Sequence, residues 1–302
     1  MTRPPVLLST PPDNLTGAAR VADGVEVKLD WEHAARLSSE RQLADVCETQ
    51  GVDVDRLVSI HLPPGMNRTQ GMSIAPGNTG TIIEFTHSAF GDGVDPEWLT
   101  VHTARRFDHR EHVERLGTIT DVTNYSFALE NTPEDSYYHD PEGLALFGFL
   151  TGRIDRLSEA YVLVDTAHVP DDRRSVAVDE GTLDTVLGRL DDDLRCRIER
   201  PFRDRLEGNV AGIDVDLPRS DPWRPAILTL HAVGGDRIRA VHLNDPDTDG
   251  LPGVGHDAAD GLDAVLRFCH RYDVTVVLEP GLAGRSEIRG TIEGLQERLS
   301  SL

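Results

Sequence analysis

The chain has 302 residues, with 30 basic against 52 acidic side chains and a formal net charge of -22. That length leaves room for one large core or two small ones, and no stretch approaches the roughly 20 apolar residues of a membrane span. Cys47, Cys196 and Cys269 lie far apart and show neither a disulfide framework nor a cysteine zinc site, which suits a reducing cytoplasm. The opening MTRPPVLLSTPPDN is too short and too proline-rich for a signal peptide. Acid runs at 171–172, 191–193 and 245–249, with Lys28 the sole lysine, suit a salt-rich cytoplasm where screening moderates self-repulsion. Binding of nucleic acid through overall charge is disfavoured.

In chain order, short β-branched runs predict strands at 6–9, 25–29, 57–62, 99–102, 126–129, 161–164, 239–243 and 274–278. Helical patterning between them predicts helices over 33–49, 109–122, 141–157, 181–205, 261–271 and 286–302. Residues 63–97 and 210–237 are irregular and are predicted as loop insertions, with 226–231 adding a short helix or strand. Regular apolar runs argue against a disordered acidic chain. Strands separated by crossovers predict an α/β fold, one domain across 1–302 forming a closed (β/α)8 TIM barrel of parallel strands. The competing doubly wound sheet lacks its glycine fingerprint, because the first strand runs into STPPDNL.

The strongest signal is positional. SIHLPP ends in His61, LTVHTA in His102 and SFALENTPE in Glu130; VLVDTAHV supplies Asp165 and His168, AVHLND supplies His242 and Asp245, and VVLEPG supplies Glu279. In a barrel the C-terminal strand ends converge on one mouth. A carboxylate directly after an apolar run is costly unless paired or coordinated. Each residue alone has a plainer reading: a hydrogen-bonded loop histidine, or a helix cap for Asp165 or Asn131. Independent caps do not require histidines and acids at so many strand ends, so a shared metal site is predicted. Two Glu, one Asp and a neutral His form an oxygen-rich set for Mn²⁺, Mg²⁺ or Zn²⁺; additional histidines favour zinc or more than one ion.

Read together, IHLPP, TVHTA, ALENTPE, VDTAH, VHLND and VLEPG, in that order over about 25–281, resemble the xylose isomerase-like TIM-barrel superfamily, which holds sugar isomerases and epimerases together with endonuclease IV. The epimerase branch implies one metal held by Glu130, Asp165, His242 and Glu279. In that branch Glu130 and Glu279 exchange a proton on opposite sides of the substrate carbon and His168 contacts substrate oxygen. The endonuclease IV branch implies up to three zinc ions, with His61, His102, His168 and His256 as further ligands. This chain departs from that branch. Val254 stands where an aspartate is expected (Asp257 or Asp245 being the substitutes at hand), VLLSTPP lacks Gly-x-His-x-Ser, and LPPG replaces the aromatic after His61. His256 points toward the nuclease branch, whereas His61 and His102 occur in both and otherwise bind substrate.

Arg105-Arg106 and Arg173-Arg174 follow His102 and His168. They either bind a phosphate or pair with nearby surface acids. A lysine-based isomerase mechanism is disfavoured, because Lys28 lies on an early strand. The leading expectation is a metal-dependent isomerase or epimerase of a small sugar or sugar phosphate working through a metal-stabilised enediolate, with no membrane partner and with homo-oligomers compatible. A zinc-dependent endonuclease acting on abasic DNA is the second expectation, and a non-catalytic binding barrel the third.

Overall fold

The computed structural model describes residues 3–302 apart from 65–71, 73, 75–77, 104–108, 132–137, 170–177, 212, 214–216, 255–259 and 282. Parallel strands β1 (Val6–Thr10), β2 (Gly24–Lys28), β3 (Leu57–His61), β4 (Trp98–Val101), β5 (Phe127–Glu130), β6 (Ala160–Asp165), β7 (Ile238–His242) and β8 (Thr275–Leu278) close into a barrel in chain order. Closure comes from β1, which pairs with β2 on one side and β8 on the other. The helices are α1 (Leu15–Ala19), α2 (Trp31–Ser39), α3 (Leu43–Gln50), α4 (Thr79–Ala89), α5 (His109–Thr123) and α6 (Pro141–Thr151). They continue as α7 (Glu180–Leu187), α8 (Asp192–Ala211), α9 (Arg224–Val233), α10 (Asp260–Tyr272) and α11 (Arg285–Ser301). No helix among the described residues is long and apolar enough to cross a membrane.

Several predicted helices divide where a fresh start signal sits inside an apolar pattern. The helix expected over 33–49 is α2 and α3: Asp30 caps the first by accepting from His33 N at 2.7 Å, and Asp45 accepts from Gln42 N at 2.9 Å to begin the second. The helix expected over 181–205 is α7 and α8. Asp179 caps α7 through Thr182 N at 2.8 Å, and Asp191 opens α8 through Leu194 N at 2.8 Å. One of the acid runs is thus partly capping chemistry. The helix expected over 141–157 stops at Thr151 beside Gly152 and resumes as a 3-10 turn at Asp155–Leu157.

Both predicted insertions contain a helix. In α4 the Thr and Ile content disguises helical spacing. In α9 the segment is apolar on nearly every side, so it has no period to read, and Pro225 fits the first turn.

Each strand faces two environments, as its two-residue period requires. Val6, Leu8, Val25, Val27, Ile60, Leu99, Val101, Phe127, Leu129, Val162, Val164, Val241, Val276 and Leu278 join the main core shared with the helices. The alternate residues line the interior, where Leu7, Trp98, Ala128, Leu163, Ala240 and Val277 form a separate apolar floor. Gly24 is required beside this floor, since a Cβ there would lie 2.5 Å from Val58 Cγ2 and 2.9 Å from Leu7 Cδ2. Two residues further along each strand, the interior turns polar, and this change of character places the site.

Candidate metal centre at the barrel mouth

Above the floor lies a buried polar layer. Trp98 Nε1 donates to Thr100 Oγ1 at 3.2 Å, and Thr100 Oγ1 donates to Glu26 Oε2 at 3.1 Å. Ser59 Oγ donates to the same carboxylate oxygen at 2.9 Å. The other oxygen, Glu26 Oε1, sits 3.1 Å from His242 Nε2 but is misaligned for a hydrogen bond. A carboxylate behind an imidazole is the usual support for a ligating histidine.

The next step along the strands brings the titratable groups together. Glu130 Oε2 lies 3.0 Å from His61 Nε2 and 2.9 Å from His102 Nε2. Its other oxygen lies 3.4 Å from His242 Nδ1 and 3.8 Å from His168 Nδ1. His242 Nδ1 is also 3.5 Å from Glu279 Oε1, and His168 Nδ1 is 3.5 Å from Asp165 Oδ2. Lys28 Nζ donates to Glu279 Oε1 at 2.7 Å. Among the described residues, three triads have ligand atoms close enough to hold an ion: His61–Glu130–His242, Glu26–His242–Glu279 and Glu130–Asp165–His168. Glu130 and His242 are each shared by two of them.

The electrostatics follow from crowding four carboxylates into a buried mouth. Burial works against ionisation of Glu130, but the His102 and His242 charges hold it well below the usual carboxylate range. Burial likewise raises Glu26, and His242 outweighs it, leaving the carboxyl at about 2. Burial pushes Asp165 up to about 6, with Glu130 adding to the rise. Burial lowers His242, yet Glu26, Glu279 and Glu130 carry it well above its ordinary value. His61 is raised, Glu130 outweighing burial, whereas burial dominates for His102 and lowers it. The Glu279 carboxyl is lowered because His242 and Lys28 overcome its burial. The cluster therefore holds protons that a divalent cation would displace.

The donor set fits such an ion. Both nitrogens of His242 and Nδ1 of His168 are buried without a hydrogen bond, although carboxylate oxygens lie within 3.8 Å of each, and His102 Nδ1 is likewise buried without one. Buried polar atoms are seldom left unpaired, and imidazole nitrogens facing carboxylates are poised to share a cation.

The framework is fastened at the strand ends. Asn131 Oδ1 accepts from Asp165 N at 2.6 Å and its Nδ2 donates to Asp165 O at 3.1 Å, so the side chain extends the β5–β6 ladder instead of capping a helix. Thr166 Oγ1 accepts from Asn244 N at 2.9 Å, and Asn244 Nδ2 donates to Asp165 Oδ2 at 3.1 Å. Asn131→Ala removes the partner of the Asp165 N–H in a buried position, while the carbonyl keeps His168 N at 3.3 Å, and is expected to cost about 1–3 kcal/mol. Urea unfolding of the metal-free protein measures this; a loss under about 0.5 kcal/mol rules the fastening out.

Of the residues named from sequence, His61, His102, Glu130, Asp165, His168, His242 and Glu279 lie at this mouth. Asp245 does not: it closes its own turn, accepting from Asp247 N and Thr248 N at 3.1 Å. Asp165 caps no helix, its Oδ1 accepting from Ala167 N at 2.8 Å in a tight turn. Arg105, Arg106, Arg173, Arg174, His256 and Asp257 fall outside the described residues.

Lys28 corrects a sequence expectation. An early strand does not keep it from the site, because β2 ends at the same mouth and reaches Glu279 of the last strand. Sequence reading also missed Glu26. The signal lay in GVEVK, where Glu26 and Lys28 occupy the interior phase of a strand whose other face is valine.

No family model matches the chain, and no curated protein matches it by sequence. Among solved structures it is similar to AsfvAP:AG, at 13% identity over 95% of this chain and 89% of that one, with a TM-score of 0.48. It is similar to a sugar phosphate isomerase/epimerase from Parabacteroides distasonis, at 12% identity over 99% and 93% of the two chains, TM-score 0.44. A xylose isomerase-like TIM barrel/4-hydroxyphenylpyruvate dioxygenase fusion protein matches at 12% identity over 98% of this chain and 42% of that chain, TM-score 0.44. These likenesses carry no inference about activity, and the (β/α)8 barrel stands on the chain's own strand pairing.

Proposed function

We propose that the protein is a divalent-metal-dependent isomerase or epimerase of a small sugar. The observation that carries this reading is His242, whose Nδ1 has Glu130 Oε1 at 3.4 Å and Glu279 Oε1 at 3.5 Å without bonding to either. Two carboxylates thus face one point from β5 and from the end of β8.

Glu130, Asp165, His242 and Glu279 would hold the cation, with Glu26 orienting His242 from beneath. When bound, the ion supplies charge stabilisation for the enediolate of a hydroxycarbonyl substrate. The remaining chemistry belongs to the chain. Glu279, kept ionised by Lys28 and His242, takes the proton from the carbon next to the carbonyl, and Glu130 serves the opposite face. His168, partly open to the mouth, donates to a substrate oxygen.

Glu279→Gln is expected to abolish proton exchange between solvent deuterium and a ketose while the protein still folds; unchanged exchange removes Glu279 from the mechanism. Metal content per chain tests the site itself, one tightly held ion being expected.

A second reading is favoured by one contact pattern. His61 Nε2 and His102 Nε2 both reach Glu130 Oε2, within 3.0 Å, so His61, His102 and Glu130 would be the residues to hold additional zinc, which would supply an activated water to a phosphodiester. Three zinc ions per chain and cleavage at abasic DNA would move the conclusion to that reading. The acidic field of a chain carrying -22 opposes a polyanionic substrate, which keeps it second.

A further inference from the structure

Beside Glu279 and Lys28 the mouth opens into a cavity of about 520 Å³ between the ends of β1, β2 and β8. Two of its lining groups are buried polar atoms that lack a partner: Ser9 Oγ and Asn244 Oδ1. The amide orientation of Asn244 is set, because its Nδ2 donates to Asp165 Oδ2 at 3.1 Å. Oδ1 can therefore only accept, and no group of the chain donates to it.

The charged lining groups make the same demand. Among the described residues of the lining, Asp30, Asp249 and Glu279 are acceptors, against one ammonium, Lys28, already matched to Glu279 at 2.7 Å. His33 lies between Asp30 at 2.9 Å and Asp13 at 3.7 Å and so faces acids of its own. Pro11, Leu29 and Pro280 add an apolar wall. A ligand that suits this lining donates several hydrogen bonds, carries no negative charge and presents C–H faces. A phosphate dianion fails on the first two counts, since it brings acceptors to acceptors and charge to like charge.

We propose that this cavity is the subsite for an unphosphorylated polyhydroxy substrate, with hydroxyls donating to Asn244 Oδ1 and accepting from Lys28 Nζ, and that it excludes the phosphate ester of the same sugar. The assignment rests on the isomerase reading and narrows it to neutral sugars. Lys28 then has a second meaning. All other basic residues in the chain are arginine, so the one lysine retained stands where a compact, three-donor ammonium serves a substrate oxygen and Glu279 together.

The single ε-amine makes the test direct. The protein with its co-purifying metal is treated with an acylating reagent, and modification of Lys28 is followed by mass spectrometry. D-fructose, D-xylulose, their terminal phosphate esters and inorganic phosphate are the probes. A neutral ketose at ten times its Kd should slow labelling about tenfold, and phosphate should leave it unaltered. A phosphate ester that protects at an equal or lower concentration than its parent sugar overturns the proposal, and so does failure of every sugar to protect.

Solvent deuterium exchange, run in parallel, separates the two claims. Protection without exchange on any ketose defeats the isomerase reading and leaves the subsite standing; exchange preferring the phosphate ester does the reverse. The variant D30N/D249N keeps the fold, since Asn caps α2 as Asp does and Asn tolerates the positive φ of 51° at residue 249. It should improve binding of the phosphate ester relative to the parent sugar by about threefold to tenfold. No relative gain means that charge is not what excludes the ester.

Discussion

Glu130→Gln should weaken divalent-metal binding by at least about 100-fold and eliminate ketose proton exchange. Glu130 is shared by two of the three triads able to hold an ion, so the substitution damages both together. A glutamine can keep one oxygen toward both His61 and His102 but must then turn its amide toward His242 and His168, and it carries no charge to oppose His242. Titration calorimetry with Mn²⁺ and Zn²⁺ reads the affinity, and chelator-treated protein separates it from a folding defect. In the metal-free state the cost is expected at about 1–3 kcal/mol. Wild-type affinity should also fall with pH. Asp165 is pushed up to about 6, so below that pH it holds a proton that the cation must displace, and binding weakens as pH drops through that value. Full affinity in the glutamine variant would place the ion elsewhere.

Trp98→Ala should cost about 3–5 kcal/mol of stability, the largest loss expected from any one interior residue. Trp98 is fully buried and fills the floor among Leu7, Ala128, Leu163, Ala240 and Val277, where its smallest neighbours cannot expand into the space left. Its Nε1 donates to Thr100, which donates to Glu26, and the Arg239 guanidinium lies 5.0 Å from its ring centre. Losing the ring therefore loosens the layer that orients His242 as well as opening a cavity. Thermal and urea unfolding measure the first effect, and a concurrent drop in metal affinity measures the second. Trp98→Phe, which retains the packing and removes the donor, should show mostly the second. A loss below about 1.5 kcal/mol in the alanine variant would mean the floor collapses around the gap.

The eight strands were legible because nearly all are short apolar, β-branched runs with turn residues at their ends (β5, FALE, is apolar only), and parallel strands covered on both faces read as apolar runs. His61, Glu130, Asp165, His242 and Glu279 were legible because polar groups interrupt such runs at one consistent place. Glu26 was not, since a lone acid in the middle of GVEVK looks like an exposed strand position until closure of the barrel turns it inward. Lys28 was misjudged for a related reason: distance along the chain says nothing about distance around a ring, and β2 is two strands from β8 through β1. Of the helices in the predicted insertions, α9 was legible only as a short helix or strand at 226–231 because it lacks a polar face, and α4 escaped because it is rich in β-branched residues.

The ring closure of β1 against β8 also sets an order of events as the chain is made. Until Thr275–Leu278 has been synthesised, β1 has an unpaired edge and the barrel is an open sheet. The polypeptide must carry Glu26, Glu130 and Asp165 through that stage before Glu279 arrives with its strand to meet Lys28. Closure joins the two ends of the sequence, the slowest kind of contact to form. The chemical centre is thus completed only when β8 joins, and a ribosome-bound chain short of residue 275 carries most of the mouth's acids without the strand that completes it.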